Sequence, residues 1–514
     1  MNDHGTDIER PYISVVATAR NDDHGGNLLD RMHAFVNGWI GQSKRHGLSS
    51  ELIIVDWNAP EDRPTLRNAL RLVEDTGPCT VRFIEVPREV HARYRYAEAL
   101  PLYQMIGKNV GIRRSRGRFV LATNVDILFS DELMSYMARG RLENGRMYRL
   151  DRYDVMSGVP IDGATAEQLE YCRGHLIRVS TREGTFDLAP DGTRHLSAKD
   201  IAEKGSGIRL GSGWYAAEYD GDRVYRWVTN DAEITVDLPH GSATPLMLDV
   251  APGPGVRYQA FILQIVDSGG AVLGQTRVSG RSVVSLHFPS SGERTPSFRF
   301  HVVGGGERSG LDPRILNFQV YRCAWADPHV SSESASADDQ RNEYILHSVP
   351  QPTDLADAIK GHAAVRRLHT WITGVGARKS GAPPVYLHIN GCGDFTLMAR
   401  EHWFDLRGYP EFDTFSFNLD ALLCYMAHHA RVREEILADP MRIYHIEHGL
   451  GSGWTPEGQA KLFERLRANG IPWITYEDIL CWNAEMHKLG APLQFNPENW
   501  GLADLDLREE SRSA

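Results

Sequence analysis

Residues 120–133, VLATNVDILFSDEL, run apolar from Val120 to Ala122, break at Asn124-Val125-Asp126 and turn apolar again at Ile127. A buried strand that ends in a carboxylate, with a second apolar run directly after it, has two readings. Asp126 can make a turn or cap a helix, as Asp often does after a strand. It can also stand on a binding edge, and the pattern upstream decides which reading is worth following.

From Tyr12 to Asn124, apolar runs of strand length alternate with segments of helical spacing. YISVVATA (12–19) reads as a first strand, and Leu28, Met32, Phe35, Val36, Trp39 and Ile40 then recur on one helix face. ELIIVDWN (51–58) is a second strand, followed by a helix bearing Leu66, Leu70 and Val73 and by the strand VRFIEVP (81–87). A helix through LYQMIGKNVGIRRS (102–115) leads into the fourth strand, RFVLATN (118–124). Strands apolar on both faces, alternating with helices, predict an α/β fold: a mostly parallel, Rossmann-like sheet covered by helices on each side. Such sheets bind ligands beyond the carboxyl ends of their strands. The polar residues there form a set: Thr18, Arg20, Asn21 and Asp22, then Asp56 and Asn58, then Asn124 and Asp126.

Bulk properties narrow the classes. At 514 residues the chain is long enough for roughly three domains, and 42% hydrophobic with 24% charged residues is ordinary for a soluble globular protein. A net charge of -11 argues against a nucleic-acid partner, and Arg113, Arg114, Arg116 and Arg118 read as a solvated helix end. The cysteines at 79, 172, 323, 392, 424 and 481 lack CxxC spacing, which argues against a zinc site or a disulfide framework and points to a reducing, cytoplasmic setting. The polar start MNDHGTDIERPY and the lack of any apolar run of about 18 residues predict neither a secretory signal nor a transmembrane segment.

Composition changes near residue 205. From there to Cys323, short strands are separated by turn signals such as GPG, DSGG and SGR, which predicts an inserted all-β sandwich over 205–325. HVSSESASADDQRNE (329–343) is polar and opens a linker-and-helix segment, 326–378. The mixed style resumes at 379–514, with a helix from Leu419 to Ala430 and the strand-like MRIYHIEHG (441–449). Four strands are few for the first unit, 1–200, so 379–514 is expected to return to it and complete its sheet.

A carboxylate at the edge of a nucleotide-sized crevice can hold a divalent cation against a diphosphate, provided other ligands join it. His445 and His448 are the candidates, and imidazole with carboxylate suits manganese better than calcium. In a strand, residues three apart point to opposite faces, so one of the two is expected to be a bystander unless the chain bends.

Four features taken in order, TARND (18–22), IIVDWN (53–58), GKNVGIRRSRGRFV (107–120) and NVD (124–126), resemble the GT-A glycosyltransferases, particularly the family 2 type. NGCGDFTLMAREHWFDLRGYPEF (390–412) is similar to their Gly-rich turn, helix and acidic loop. The resemblance implies transfer of a sugar from a nucleoside-diphosphate sugar donor to a glycan or other hydroxyl acceptor, assisted by Mn2+ or Mg2+. It implies that Thr18, Arg20 and Asp22 line the nucleotide pocket, that Asp56 contacts base or ribose, and that Lys108 and Asn109 lie near the nucleotide or diphosphate. Asp126 becomes the principal metal ligand, with a late-strand histidine, His445 before His448, completing the site. Asn124 stands where the first Asp of a DxD motif usually is and is expected to hydrogen-bond the sugar or ribose. GYPEFDTFSFNLDALL (408–423) lacks the acidic pair that serves as base in inverting members. Asp420, Asp413, Glu411 and Asp394 are the candidates.

Other classes leave different marks. A dinucleotide-dependent oxidoreductase needs GxGxxG after the first strand, which TARNDDHGGN lacks. A nucleotidyltransferase shares the sheet and the metal but needs a Gly-rich basic loop there, for which Arg20 is the only support. A carbohydrate-binding or scaffolding protein with a degenerate α/β unit would use Trp214, Tyr215, Tyr225 and Trp227 as stacking platforms.

Overall fold

The parallel strands β1 (Ile13–Ala19), β2 (Ser50–Trp57), β3 (Cys79–Val86) and β4 (Phe119–Ala122) lie side by side in the order β3-β2-β1-β4. All residues of β1 and β2 are buried. Their period of two sends Val15, Ala17, Leu52 and Ile54 into one core and Val16, Ile53 and Val55 into another. Helix α1 (Leu28–His46) covers the first face with Met32, Phe35, Val36 and Trp39, while the helices Gln104–Arg113 and Leu419–His429 cover the second. Gly107 and Gly111 let the Gln104–Arg113 helix lie close on the sheet. A Cβ at either would fall 2.5 Å from Thr18 Oγ1 or Val16 Cγ1.

These are the features of a computed structural model that describes residues 10–189, 192, 194–197, 201–202, 206–220, 223–237, 245–287, 296–308, 312–326, 385–448 and 456–512. Past β4 come the short strands β5 (Ile127–Phe129), β6 (Arg146–Leu150) and β7 (Arg152–Val155). The strand Thr396–Ala399 pairs antiparallel with both β4 and β6, Arg433–Leu437 runs parallel to β6, and Glu509–Arg512 pairs antiparallel with β3. The result is one mostly parallel eight-stranded sheet whose strands come from both ends of the chain, in a mixed α/β fold. No helix among the described residues is long and apolar enough to cross a membrane.

A second sheet begins beside Asp126. Its edge is β5, followed by the strand Ile443–Ile446 and then β7, and it continues through Leu176–Thr181, Gly184–Leu188, Arg194–Ser197 and Ile208–Leu210 to a total of eleven strands. The predicted break between residues 200 and 205 is therefore not a break in the sheet. Arg194–Ser197 pairs with Gly184–Leu188 on one side and with Ile208–Leu210 on the other. A five-stranded sheet, Trp214–Asp220, Arg223–Val228, Phe318–Trp325, Leu246–Pro252 and Ser282–Leu286, shares a core with the far half of the long sheet. Leu210, Ile234 and Phe300 meet Leu248, Val284 and Val320 in it. The 205–325 segment is thus not a self-contained pair of sheets, because half of it extends a sheet rooted at the first unit. Alternating burial predicts a strand but not which edge it joins. The helix expected around Leu66, Leu70 and Val73 shrinks to the single turn Leu66–Ala69, after which Leu70 stays buried in an extended segment but Val73 is exposed. The linker expected at 326–378 lies, past Ala326, outside the described residues.

Candidate functional site

Asp126 sits where the two large sheets meet. Thr123 closes β4 by donating its N–H to the Val16 carbonyl at 2.9 Å and its hydroxyl to the Asp394 carbonyl at 2.7 Å. β5 then pairs antiparallel with Ile443–Ile446, placing His445 opposite Ile127, and the Ile446 N–H donates to the Asp126 carbonyl at 3.0 Å. That register brings the ring to the carboxylate. His445 Nε2 lies 3.8 Å and His448 Nε2 3.0 Å from Asp126 Oδ2, and all three residues are buried. The expectation that one histidine would face away fails for a local reason. The strand ends at Ile446, so His448 lies beyond it and the alternation of faces no longer applies. Gly25, at φ +75°, packs against the same ring, and a Cβ there would fall 2.4 Å from His448 Nδ1.

A guanidinium joins them. Arg31 of α1 donates Nη1 to Asp126 Oδ2 at 2.9 Å and is itself buried, with Nη2 donating to the His24 and Gly26 carbonyls. Burial alone pushes the Asp126 carboxyl up, but His445, His448 and Arg31 outweigh it and hold the group well below the usual carboxylate range. His445 is shifted the opposite way: burial opposes its charge, and Asp126 and Asp154 more than restore it. Asp126 is therefore ionised at neutral pH.

The donor set fits a divalent cation of the manganese type. One carboxylate oxygen and two imidazole nitrogens lie within 4.8 Å of one another. Asp126 Oδ1 is buried and has no hydrogen-bond partner among the described residues. Such an oxygen is costly unless something accepts it as a ligand. In a second group of suitable atoms, Asp154, His445 and Glu447, guanidinium groups contact both carboxylates, whereas in the first Arg31 takes Asp126 Oδ2 and leaves Oδ1 open. Arg152 and Arg178 contact Asp154 at 2.9 and 2.8 Å, and Arg178 also reaches Glu447 at 3.4 Å. A cavity of about 170 Å³, lined by Gly25, Arg31, Val159, Ile161, Glu447 and His448 among others, opens beside the first cluster.

The remaining predicted residues divide into two groups. Asn124 belongs to the cluster's surroundings: it donates to Asp394 Oδ1 at 2.5 Å and accepts from Gln104 at 2.8 Å. Asp394 Oδ2 accepts from Arg152 at 2.7 Å, so both its oxygens are engaged. Lys108 is fully buried, donates to the Gly393 carbonyl at 2.7 Å and has its pKa lowered by that burial. Asp420 opens the Leu419–His429 helix and faces Gly393, where a Cβ would fall 2.8 Å from its Oδ2. At the ends of β1 and β2, Thr18 donates to the Val55 carbonyl, Arg20 donates to the Asn58 carbonyl and pairs with Asp22, and Asp56 accepts the Leu66 N–H at 2.7 Å.

Three candidates, Asn109, Glu411 and Asp413, lie together away from the cluster. Asn109 is buried, with its amide committed to the Tyr409 carbonyl and Glu411. Glu411 also accepts the Gly501 N–H, and burial pushes its carboxyl up to about 7. Asp413 lies nearby: burial raises the Tyr94 hydroxyl, and Glu411 and Asp413 add to that shift. Trp214, Tyr225 and Trp227 are buried, and the Arg314 guanidinium lies over one face of the Tyr215 ring.

The sequence reading missed Arg31, Arg152, Asp154 and Arg178. Arg31 carried a signal, since it lies between Leu28 and Phe35 on the apolar face of α1, where a charge needs a buried partner. Arg152 and Asp154 are two apart on one strand and so share a face. Their partners Arg178, Asp394 and His445 come from three other strands or loops, which no local pattern connects.

No protein-family model matches the chain, and no curated protein does. Among solved structures it is similar to a glycoside hydrolase family 43 arabinoxylan arabinofuranohydrolase from Bacillus subtilis in complex with cellotetraose. That similarity covers 28% of this chain and 33% of the other, at 12% identity and a TM-score of 0.16, a level that carries no argument about fold or function.

Proposed function

We propose that the chain is a metal-assisted glycosyltransferase of the GT-A type, moving a sugar from a nucleoside-diphosphate sugar to an acceptor hydroxyl. The observation that carries this reading is the meeting of Asp126, His445 and His448 at the carboxyl edge of a mostly parallel sheet. Asp126, His445 and His448 would hold the cation, Mn2+ or Mg2+, which supplies a Lewis acid for the charge developing on the diphosphate leaving group. Thr18, Arg20, Asp22 and Asp56, at the ends of β1 and β2, would receive the nucleotide. Asn124, held by Gln104 and Asp394, presents a fixed amide toward the sugar or ribose.

Asp394 is engaged through both oxygens, which leaves Asp420 as the carboxylate best placed to serve as base. The acceptor oxygen forms a bond to the anomeric carbon as the bond from that carbon to the diphosphate oxygen breaks. The electron pair leaves with the diphosphate, and the acceptor's proton passes to Asp420. The strands over 205–325 read best as a β-sandwich-like elaboration of this unit, and the reduced cysteines fit a cytoplasmic protein.

A thermal-shift screen against nucleotide sugars, with and without Mn2+, tests the proposal. The expected result is a rise in melting temperature that needs both sugar nucleotide and Mn2+, accompanied by slow release of nucleoside diphosphate. Release of pyrophosphate would mark a nucleotidyltransferase instead. Binding of glycans but of no sugar nucleotide would mark a carbohydrate-binding protein.

A further inference from the structure

We infer that Asp154 is a positioning residue that orients His445 toward the cation, an inference that rests on the metal-binding reading above. The register of the second sheet places Asp154 opposite His445 on one side and opposite Arg178 on the other. Its Oδ1 lies 3.2 Å from His445 Nδ1, an ion-pair contact whose angle falls outside hydrogen-bond geometry, while the other ring nitrogen, Nε2, faces Asp126. A carboxylate this close to Nδ1 favours the proton there electrostatically, and a small turn of the ring would complete the bond, which leaves the Nε2 lone pair directed at the site. Without it the ring could flip or take the other tautomer, and Nε2 would carry the proton.

Asp154 is in turn clamped. Its side chain is 1% exposed, with Arg152 and Arg178 on its two oxygens. Arg152 continues to Asp394, which accepts from Asn124, two residues before Asp126. The polar chain Asp126, His445, Asp154, Arg152, Asp394 and Asn124 therefore starts and ends on the same NVD turn. Burying so many charges costs desolvation that well-packed apolar residues would avoid, so fold stability alone does not account for it. Holding a ligand in one orientation does.

The test is a calorimetric titration of the full chain with Mn2+ for wild type, Asp154→Asn, His445→Ala and the double variant, with circular dichroism to verify folding. Asp154→Asn is expected to weaken Mn2+ binding about 10- to 100-fold. In the His445→Ala background the same change should add less than about twofold, because the residues act as a unit. A purely structural role for Asp154 would give equal losses in both backgrounds, and that result overturns the inference. Unchanged affinity in Asp154→Asn overturns it too, as does a stoichiometry of two ions, which would make Asp154 a ligand. If wild type binds no Mn2+, the metal reading fails and the inference with it. If wild type binds and only the coupling is absent, the metal reading stands and the inference alone fails. Should Asp154→Asn not fold, Asp154→Asn/Arg178→Gln removes one cation along with the carboxylate and is read against the same two outcomes.

Discussion

Asp56 stands at the carboxyl end of β2 and Asp126 just past that of β4, two parallel strands of one sheet, both buried, yet their surroundings drive them in opposite directions. Burial pushes Asp56 up to about 6, the Leu66 N–H offsets this only in part, Glu85 adds to it, and Arg20 opposes it weakly. Asp126 feels the same burial, but His445, His448 and Arg31 converge on it and keep it ionised. The strand end supplies the place, and the neighbours arriving from α1 and from residues 445–448 supply the charge. A carboxylate poised near neutrality suits hydrogen bonding to a base or ribose, whereas one held ionised by cations suits a metal.

The largest effect expected from this contrast is on stability. Asp126→Ala strands Arg31 as a buried cation beside two histidines and should cost about 3–5 kcal/mol in urea unfolding at neutral pH without metal. Asp56→Asn, which removes no paired charge, should leave the midpoint unchanged or raise it. Equal losses at the two positions would break the comparison.

The pH dependence should differ in sign. Because the Asp56 pKa is raised in the fold from 3.8 to about 6, its contribution to stability is full below 3.8 and is lost as pH rises through about 6. Asp56→Asn should flatten the stability profile in that window and gain on the order of 2 kcal/mol relative to wild type at pH 8. Asp126, with its pKa lowered, contributes stability above the ordinary carboxylate range that is lost as pH falls, so Asp126→Asn should flatten the acid limb. Urea midpoints across pH 3–8 check both.

Gly25→Ala should cost about 1–2 kcal/mol, from the positive φ of the backbone and the clash with His448. It should weaken Mn2+ binding while leaving the Asp56 side untouched. The smallest effect is expected at Arg20→Lys, whose partly exposed pair with Asp22 supports under about 1 kcal/mol of stability. That variant should lower nucleotide affinity, read by titration with a nucleoside diphosphate, more than it lowers the melting temperature.

Much of the α/β layer structure was legible because β1 and β2 are apolar on both faces, a pattern that only a sheet covered twice can bury. The continuity of the second sheet through 194–197 was not, since it depends on edge pairing between strands of unremarkable composition. Asp126 stood out as a carboxylate in an apolar run, and the two histidines stood out by type. That both histidines reach Asp126 could not be read from their spacing, because it depends on where the strand ends. Arg31 could have been found as a charge on the buried face of α1. Asp154 could not, because its partners meet only through the cross-strand register.

The central claim is that Asp126, unlike Asp56, holds a divalent cation, and calorimetric titration of Mn2+ with a nucleoside diphosphate present tests it most directly. The predicted result is saturable one-site binding in wild type, weakened at least about tenfold in Asp126→Asn and unchanged in Asp56→Asn. Equal Mn2+ affinity in wild type and Asp126→Asn would contradict the account and return Asp126 to the role of a turn residue between two sheets.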